Sequence, residues 1–230
     1  MTDPSTSTTL DRRSLLRLAL AGATGAALSA CGATSPDDRP RSSQSESERG
    51  PGRSRTILLA YFSRPGENYW NGGRRNLRVG NTEVLAEIIA ERVDCVVHRI
   101  EPADPYPESY DQTRERNLRE QSDNARPDIA NPLDSIDRYD TILLASPIWN
   151  VSAPMIMSTF AENHDFSGKT VFPVTTHAMS GLGTTPEGYA GACRGARIGD
   201  GLAVRGEEVR SGGKRMVDSW LRRTRLIDRG

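Results

Sequence analysis

The stretch Thr141-Ile142-Leu143-Leu144-Ala145-Ser146-Pro147-Ile148-Trp149-Asn150 decides the fold. Its first five residues are apolar and β-prone, which predicts a short strand buried on both faces, as in a parallel sheet. Pro147 interrupts the run, and an aromatic follows at once. In open α/β sheets, ligands bind beyond the carboxyl ends of the strands. Trp149 therefore stands where a flat ligand can stack.

Working outward, a second apolar run at residues 56–63, Thr56-Ile57-Leu58-Leu59-Ala60-Tyr61-Phe62-Ser63, reads as the first strand. A long polar loop over residues 64–80 follows, with Gly66, Gly72, Gly73 and Gly80. Beyond Asn81-Thr82-Glu83, residues Val84, Leu85, Ile88, Ile89 and Val93 recur at helical spacing. Asn81 or Thr82 is the expected cap. Strand, glycine-bearing loop and helix start together make phosphate-binding geometry, because backbone N–H groups converge at a helix N-terminus.

Residues 95–100 read as strand two, and residues 108–122 as a polar helix with few apolar anchors, Tyr110 and Leu118 among them. Ala153-Pro154 opens a further helix. Residues 170–176 read as strand four, followed by the polar loop His177-Ala178-Met179-Ser180-Gly181-Leu182-Gly183-Thr184. A fifth strand is expected near residues 196–204 and a last helix over 214–224, with Met216, Val217, Trp220 and Leu221 on one side. This alternation predicts an α/β fold, a five-stranded parallel sheet in order 2-1-3-4-5 with helices on both faces. The switch point then falls between strands one and three, flanked by the candidate phosphate loop and the Trp149 loop.

The chain has 230 residues and carries 30 basic and 30 acidic side chains, so its formal charge is zero and nothing points to nucleic acid. Cys31, Cys95 and Cys193 are too scattered for a disulfide framework or a zinc site. The expected division is residues 1–30 as an export signal, 31–55 as a flexible tether and 56–226 as the folded domain. Arg12-Arg13 ahead of the mildly apolar residues 18–30 resembles a twin-arginine signal. Leu28-Ser29-Ala30-Cys31 resembles a lipobox, with Cys31 as the lipidated residue. Residues 32–55 are rich in Ser, Pro, Gly and charge, too polar to bury a core. The expected location is the cell membrane, facing the outside or the periplasm.

Tyr61-Phe62-Ser63, Gly80-Asn81-Thr82-Glu83, Ser146-Pro147-Ile148-Trp149, Ala153-Pro154-Met155 and Phe166-Ser167-Gly168-Lys169-Thr170, in this order and spacing, resemble the flavodoxin family in its FMN-binding branch. The resemblance implies a flavodoxin-like three-layer sandwich and FMN as cofactor. It implies Ser63, Asn81 and Thr82 at the phosphate, with Arg64 of the inserted loop as an added candidate. Pro147, Ile148, Trp149 and Asn150 would lie along the isoalloxazine, with Thr176, His177, Ser180 and Gly181 at its edge. Backbone groups around Asn150 would reach the flavin N5. The family's phosphate loop is usually short; here residues 64–79 are inserted, bringing Arg64, Arg74, Arg75, Arg78, Tyr69 and Trp70.

The implied function is electron transfer, or reduction of a small acceptor such as a quinone, at the outer face of the membrane. The alternative is a lipoprotein that keeps the fold as a binding or scaffold module. A hydrolase lacks its Gly-x-Ser-x-Gly elbow. Electron donor, acceptor and homodimerisation are left open.

Overall fold

The computed structural model describes residues 56–227. Four strands, β1 (Ile57–Tyr61), β4 (Val96–Arg99), β5 (Thr141–Pro147) and β6 (Thr170–His177), lie parallel in the order β4-β1-β5-β6. Beyond β6, the expected fifth strand is split into β7 (Arg197–Ile198) and β8 (Leu202–Arg205), both parallel to β6. The break falls at Gly199-Asp200-Gly201. There a Cβ on Gly199 would overlap the Phe172 ring, and Trp220 Nε1 donates to Asp200 O at 2.8 Å. Counting β7 and β8 as one, the order is the expected 2-1-3-4-5.

Both faces of the sheet are covered, which is why its strands read as continuous apolar runs rather than alternating ones. On one side Ile57, Leu59, Tyr61, Leu143, Ala145 and Val174 pack under α1 (Asn81–Ala90) and α5 (Val209–Arg223). On the other, Leu58, Ala60, Phe62, Ile142, Leu144 and Val171 pack under α3 (Met155–Glu162) and α4 (Thr185–Ala192). Fully buried Trp220 sits in the first cluster, as its helical stripe predicts.

Three expectations need revision. Helix α5 begins five residues before position 214, because Ser211-Gly212-Gly213 does not break it. A Cβ on Gly213 would lie 3.1 Å from Ile88 Cδ1, so the glycine lets α5 press closely on α1. The polar loop over residues 64–80 is not structureless. It folds into an antiparallel hairpin, β2 (Gly66–Trp70) and β3 (Gly73–Leu77), turned at Asn71-Gly72. Both turn residues have positive φ, 45° and 84°, which is what a two-residue hairpin turn demands and Asn-Gly supplies. Finally, β5 runs on through Pro147, and Ile148 N–H continues its ladder to Thr176 O at 2.9 Å. Helix α2 (Tyr110–Ser122) starts at its cap Ser109, whose side chain accepts from Gln112 N–H.

Candidate functional site

A cavity of about 270 Å³ opens at the carboxyl ends of β1, β5 and β6, at the switch point between β1 and β5. Its first wall is the end of β1 and the start of α1: Ser63, Arg64, Asn81 and Thr82. Gly80 precedes α1 as its cap residue, and no cap side chain occupies the helix start. The expected capping by Asn81 or Thr82 does not occur. Ser63 reaches over instead, its Oγ accepting Glu83 N–H at 3.1 Å, which leaves the hydroxyl proton to donate. Only glycine fits at position 80, where a Cβ would overlap Ser63 Oγ and the Arg64 carbonyl. The Asn81 side-chain oxygen Oδ1 accepts from Arg210, and the Thr82 hydroxyl meets that of Thr176 at 2.7 Å.

Arg64 lines the cavity, but its guanidinium is committed elsewhere. It donates to the carbonyls of Pro107 at 2.8 Å, Glu108 at 3.0 Å and Glu67, binding the hairpin to the segment ahead of α2. Burial lowers its pKa from the ordinary value.

The second wall is Pro147, Ile148, Trp149 and Asn150. Half-buried Trp149 stands edge-on to Phe62 and Tyr106, with ring centroids at 5.6 Å and 5.0 Å. The third comprises Thr176 and His177 at the end of β6 and Ala178 just after it, with Gly206 and Glu207 after β8. Ser180 and Gly181 do not line the cavity; Gly181 O accepts the Thr175 hydroxyl at 3.0 Å.

Two further walls complete the cavity: α2 escaped the sequence reading, whereas the inserted residues were already a candidate. From α2, Tyr110, Thr113, Arg114, Asn117 and Leu118 face the cavity at helical spacing. The stripe is mostly polar, so a search for apolar periodicity passes over it; Tyr110 and Leu118, at i and i+8 on one face, were the available signal. From the hairpin, Asn68 and Tyr69 reach in. The hairpin spans from α2 to the turn after β8. At one end Tyr110 N–H donates to Glu67 Oε2 at 3.0 Å, and Arg74 pairs with Asp111 at 3.0 Å while lying 3.5 Å from the Tyr110 ring centroid. At the other, Asn71 N–H donates to Glu207 Oε1 at 2.9 Å.

Four buried polar atoms of cavity-lining residues have no hydrogen-bond partner: Arg64 Nε, Asn117 Oδ1, His177 Nδ1 and Glu207 Oε2. Buried polar groups in folded proteins are normally satisfied, so their concentration here marks a place for a polar ligand. Burial, with Arg205 second, lowers the His177 pKa from its ordinary value and keeps the imidazole neutral near pH 7.

A family model described as flavodoxin matches residues 77–222, well over half of the chain. The chain belongs to the flavodoxin family. Among solved structures, this flavodoxin-family chain is similar to a protein of Bacteroides uniformis assigned to the flavoproteins, at 29% identity and a TM-score of 0.58 over 74% of this chain and 99% of that one. A protein of Bacteroides eggerthii with the same assignment gives 26% identity, a TM-score of 0.58 and coverage of 74% and 98%. A flavoprotein from Lactobacillus acidophilus, solved in complex with FMN, shares the fold at 20% identity and a TM-score of 0.50, covering 74% of this chain and all of that one. Comparison with curated protein sequences finds no match.

Proposed function

We propose that this protein binds FMN in the cavity between the α1 start and the Trp149 loop, and uses it to pass electrons to a small acceptor such as a quinone. The observation that carries the reading is the cavity's position at the β1/β5 switch point of a flavodoxin-family sheet, where this architecture places ligands. The FMN complex of the Lactobacillus acidophilus neighbour supports the choice of cofactor.

The residues fit the group. The α1 start, where a side chain takes only Glu83 N–H, offers its other backbone N–H groups to a phosphate, joined by the Ser63 hydroxyl. Trp149 offers a large apolar wall to a flat ring. The unpartnered His177 Nδ1 and Asn117 Oδ1 offer hydrogen bonds to ring edges or ribityl hydroxyls. When bound, FMN supplies one- and two-electron chemistry. The protein's own part is to orient it and set its environment: an apolar aromatic wall disfavours the anionic reduced form and lowers the potential.

The sequence adds a location. The twin-arginine and lipobox patterns lie outside the described residues, and they support export and anchoring through Cys31. A near-neutral charge favours a small acceptor over a strongly charged protein partner. Purification and a visible spectrum test the reading. The expected protein is yellow, or becomes so on adding FMN, and Trp149→Ala weakens that binding about tenfold or more, in line with the loss of one large aromatic contact. A colourless chain that ignores added FMN overturns it in favour of a binding or scaffold module.

A further inference from the structure

The Trp149 loop is a tight turn held against its own preference. Trp149 N–H donates to Ser152 O at 2.8 Å and Ser152 N–H to Trp149 O at 3.2 Å. Between them Asn150 and Val151 have φ of 48° and 63°. A two-residue turn with both central φ positive suits Asn-Gly. Asparagine tolerates the left-handed region, but a β-branched residue there is a genuine outlier. Backbone strain of this kind persists only where the surroundings over-determine it.

The surroundings do so from two sides. From the α4 side, Thr184 N–H and Oγ1 donate to Val151 O at 2.8 Å and 3.2 Å. From α2, one side chain makes three contacts. Gln121 Nε2 donates to Trp149 O at 3.2 Å and to Ser152 Oγ at 2.7 Å, while its Oε1 accepts Asn150 Nδ2 at 2.8 Å. Gln121 itself does not line the cavity, whereas Trp149 and Asn150 do.

We propose that Gln121 is a positioning residue: it holds the strained Trp149–Ser152 turn in the shape the flavin meets, and so sets both FMN affinity and flavin potential without touching the cofactor. This rests on the FMN reading above. The side-chain amide suits the task because it must donate to a carbonyl and a hydroxyl while accepting from an amide, which glutamate, leucine or lysine cannot all do. Removing it frees the turn to leave the left-handed region. Trp149 then loses its fixed place against the ring, and the anionic reduced flavin is penalised less.

The test uses the full chain and compares wild type, Q121A, Q121E, N150G/V151G and Q121A/N150G/V151G. FMN affinity is read by fluorescence titration, midpoint potential by spectroelectrochemistry, and Tm alongside. Q121A is expected to weaken FMN about tenfold, the scale of one to two lost hydrogen bonds, and to raise the potential. Q121E keeps the acceptor for Asn150 but not the donors, and is expected to follow Q121A; it carries the same test where Q121A does not fold. In the N150G/V151G background the turn needs no clamp, so adding Q121A should change affinity and potential little. An equal loss in both backgrounds overturns the proposal, since Gln121 would then not act through turn strain. Wild-type FMN binding with an indifferent Q121A overturns it alone. Failure of the wild type to bind FMN overturns the underlying reading and the proposal together.

Discussion

At the scale of single residues, Arg64 shows how a charge beside a ligand cavity acquires a structural duty. It is only 8% exposed, and a guanidinium can satisfy several carbonyls at once where an ammonium is a compact point charge. Arg64→Ala would remove one donor from each of the Pro107, Glu108 and Glu67 carbonyls. Pro107 O keeps the Thr113 hydroxyl and Glu108 O keeps the Glu67 N–H. The loss is therefore that of the hydrogen bonds to a charged donor, about 1.5–3 kcal/mol each at most. Water entering from the cavity offsets part of this. The expected net loss is about 1–3 kcal/mol in urea denaturation of the cofactor-free protein. Arg64→Lys should recover less than half. A stability change within experimental error would show that water replaces the guanidinium without cost. The sequence named Arg64 as a site residue from its place after strand one. It could not show the Pro107 and Glu108 carbonyls, because these come from a segment brought near only by folding.

At the scale of elements, the Trp149 turn and the β2–β3 hairpin solve the same geometric problem with different residues. The hairpin turns on Asn71-Gly72, where positive φ is nearly free. The Trp149 turn uses Asn150-Val151 and depends on clamps from α2 and Thr184. Val151 is 54% exposed, so its side chain contributes little by burial. Relief of left-handed strain at Val151→Gly is worth about 1–2 kcal/mol, against about 0.5–1 kcal/mol for the freer unfolded chain. The first term wins. Val151→Gly should raise Tm by about 1–3 °C for a domain of this size. A fall in Tm would mean that Val151 makes contacts worth more than the strain. Such a residue, stable only at a cost, is what a functional loop retains and a purely structural one would lose. Periodicity made the strands and α1 legible. The hairpin was missed because Gly66–Leu77 is mostly polar, its burial one-sided, and its anchors lie on α2 and Glu207.

At the scale of the whole molecule, two effects of environment separate by pH. His98 and His177 both have pKa values lowered, chiefly by burial. The unfolded chain takes up their protons near the ordinary histidine pKa of about 6.5, before the folded chain does. Stability from keeping them neutral is therefore full above that pH and is lost as pH falls below it. Glu162 runs the same way in a more acid window: the Arg126 hydrogen bond lowers its pKa, so its contribution is lost only as pH falls from the ordinary glutamate range through the folded value. Urea midpoints should decline from pH 7 to pH 5, and His98→Gln should flatten that decline while leaving the steeper acid limb. An unchanged slope would remove His98 as a cause. Parallel strands, switch point and three site loops were all readable in the sequence, because each follows from apolar runs and their ends. The α2 wall was not, since most of the residues it turns to the cavity are polar and Tyr110 and Leu118 alone do not make an apolar stripe. Localisation is the remaining whole-molecule question, and on the proposed export reading it is set by residues before the sheet. Removing residues 1–30 takes away three arginines and two aspartates, leaving 27 basic and 28 acidic side chains. A near-neutral mature chain has little electrostatic attraction to anionic lipid, so attachment would rest on acyl chains at Cys31. One chain binds only marginally, so anchoring at Cys31 would need more than one. Cys31→Ser should move the protein from the membrane fraction to the soluble exported fraction with its FMN content unchanged. Retention of the variant on membranes through a high-salt wash would exclude lipidation as the anchor.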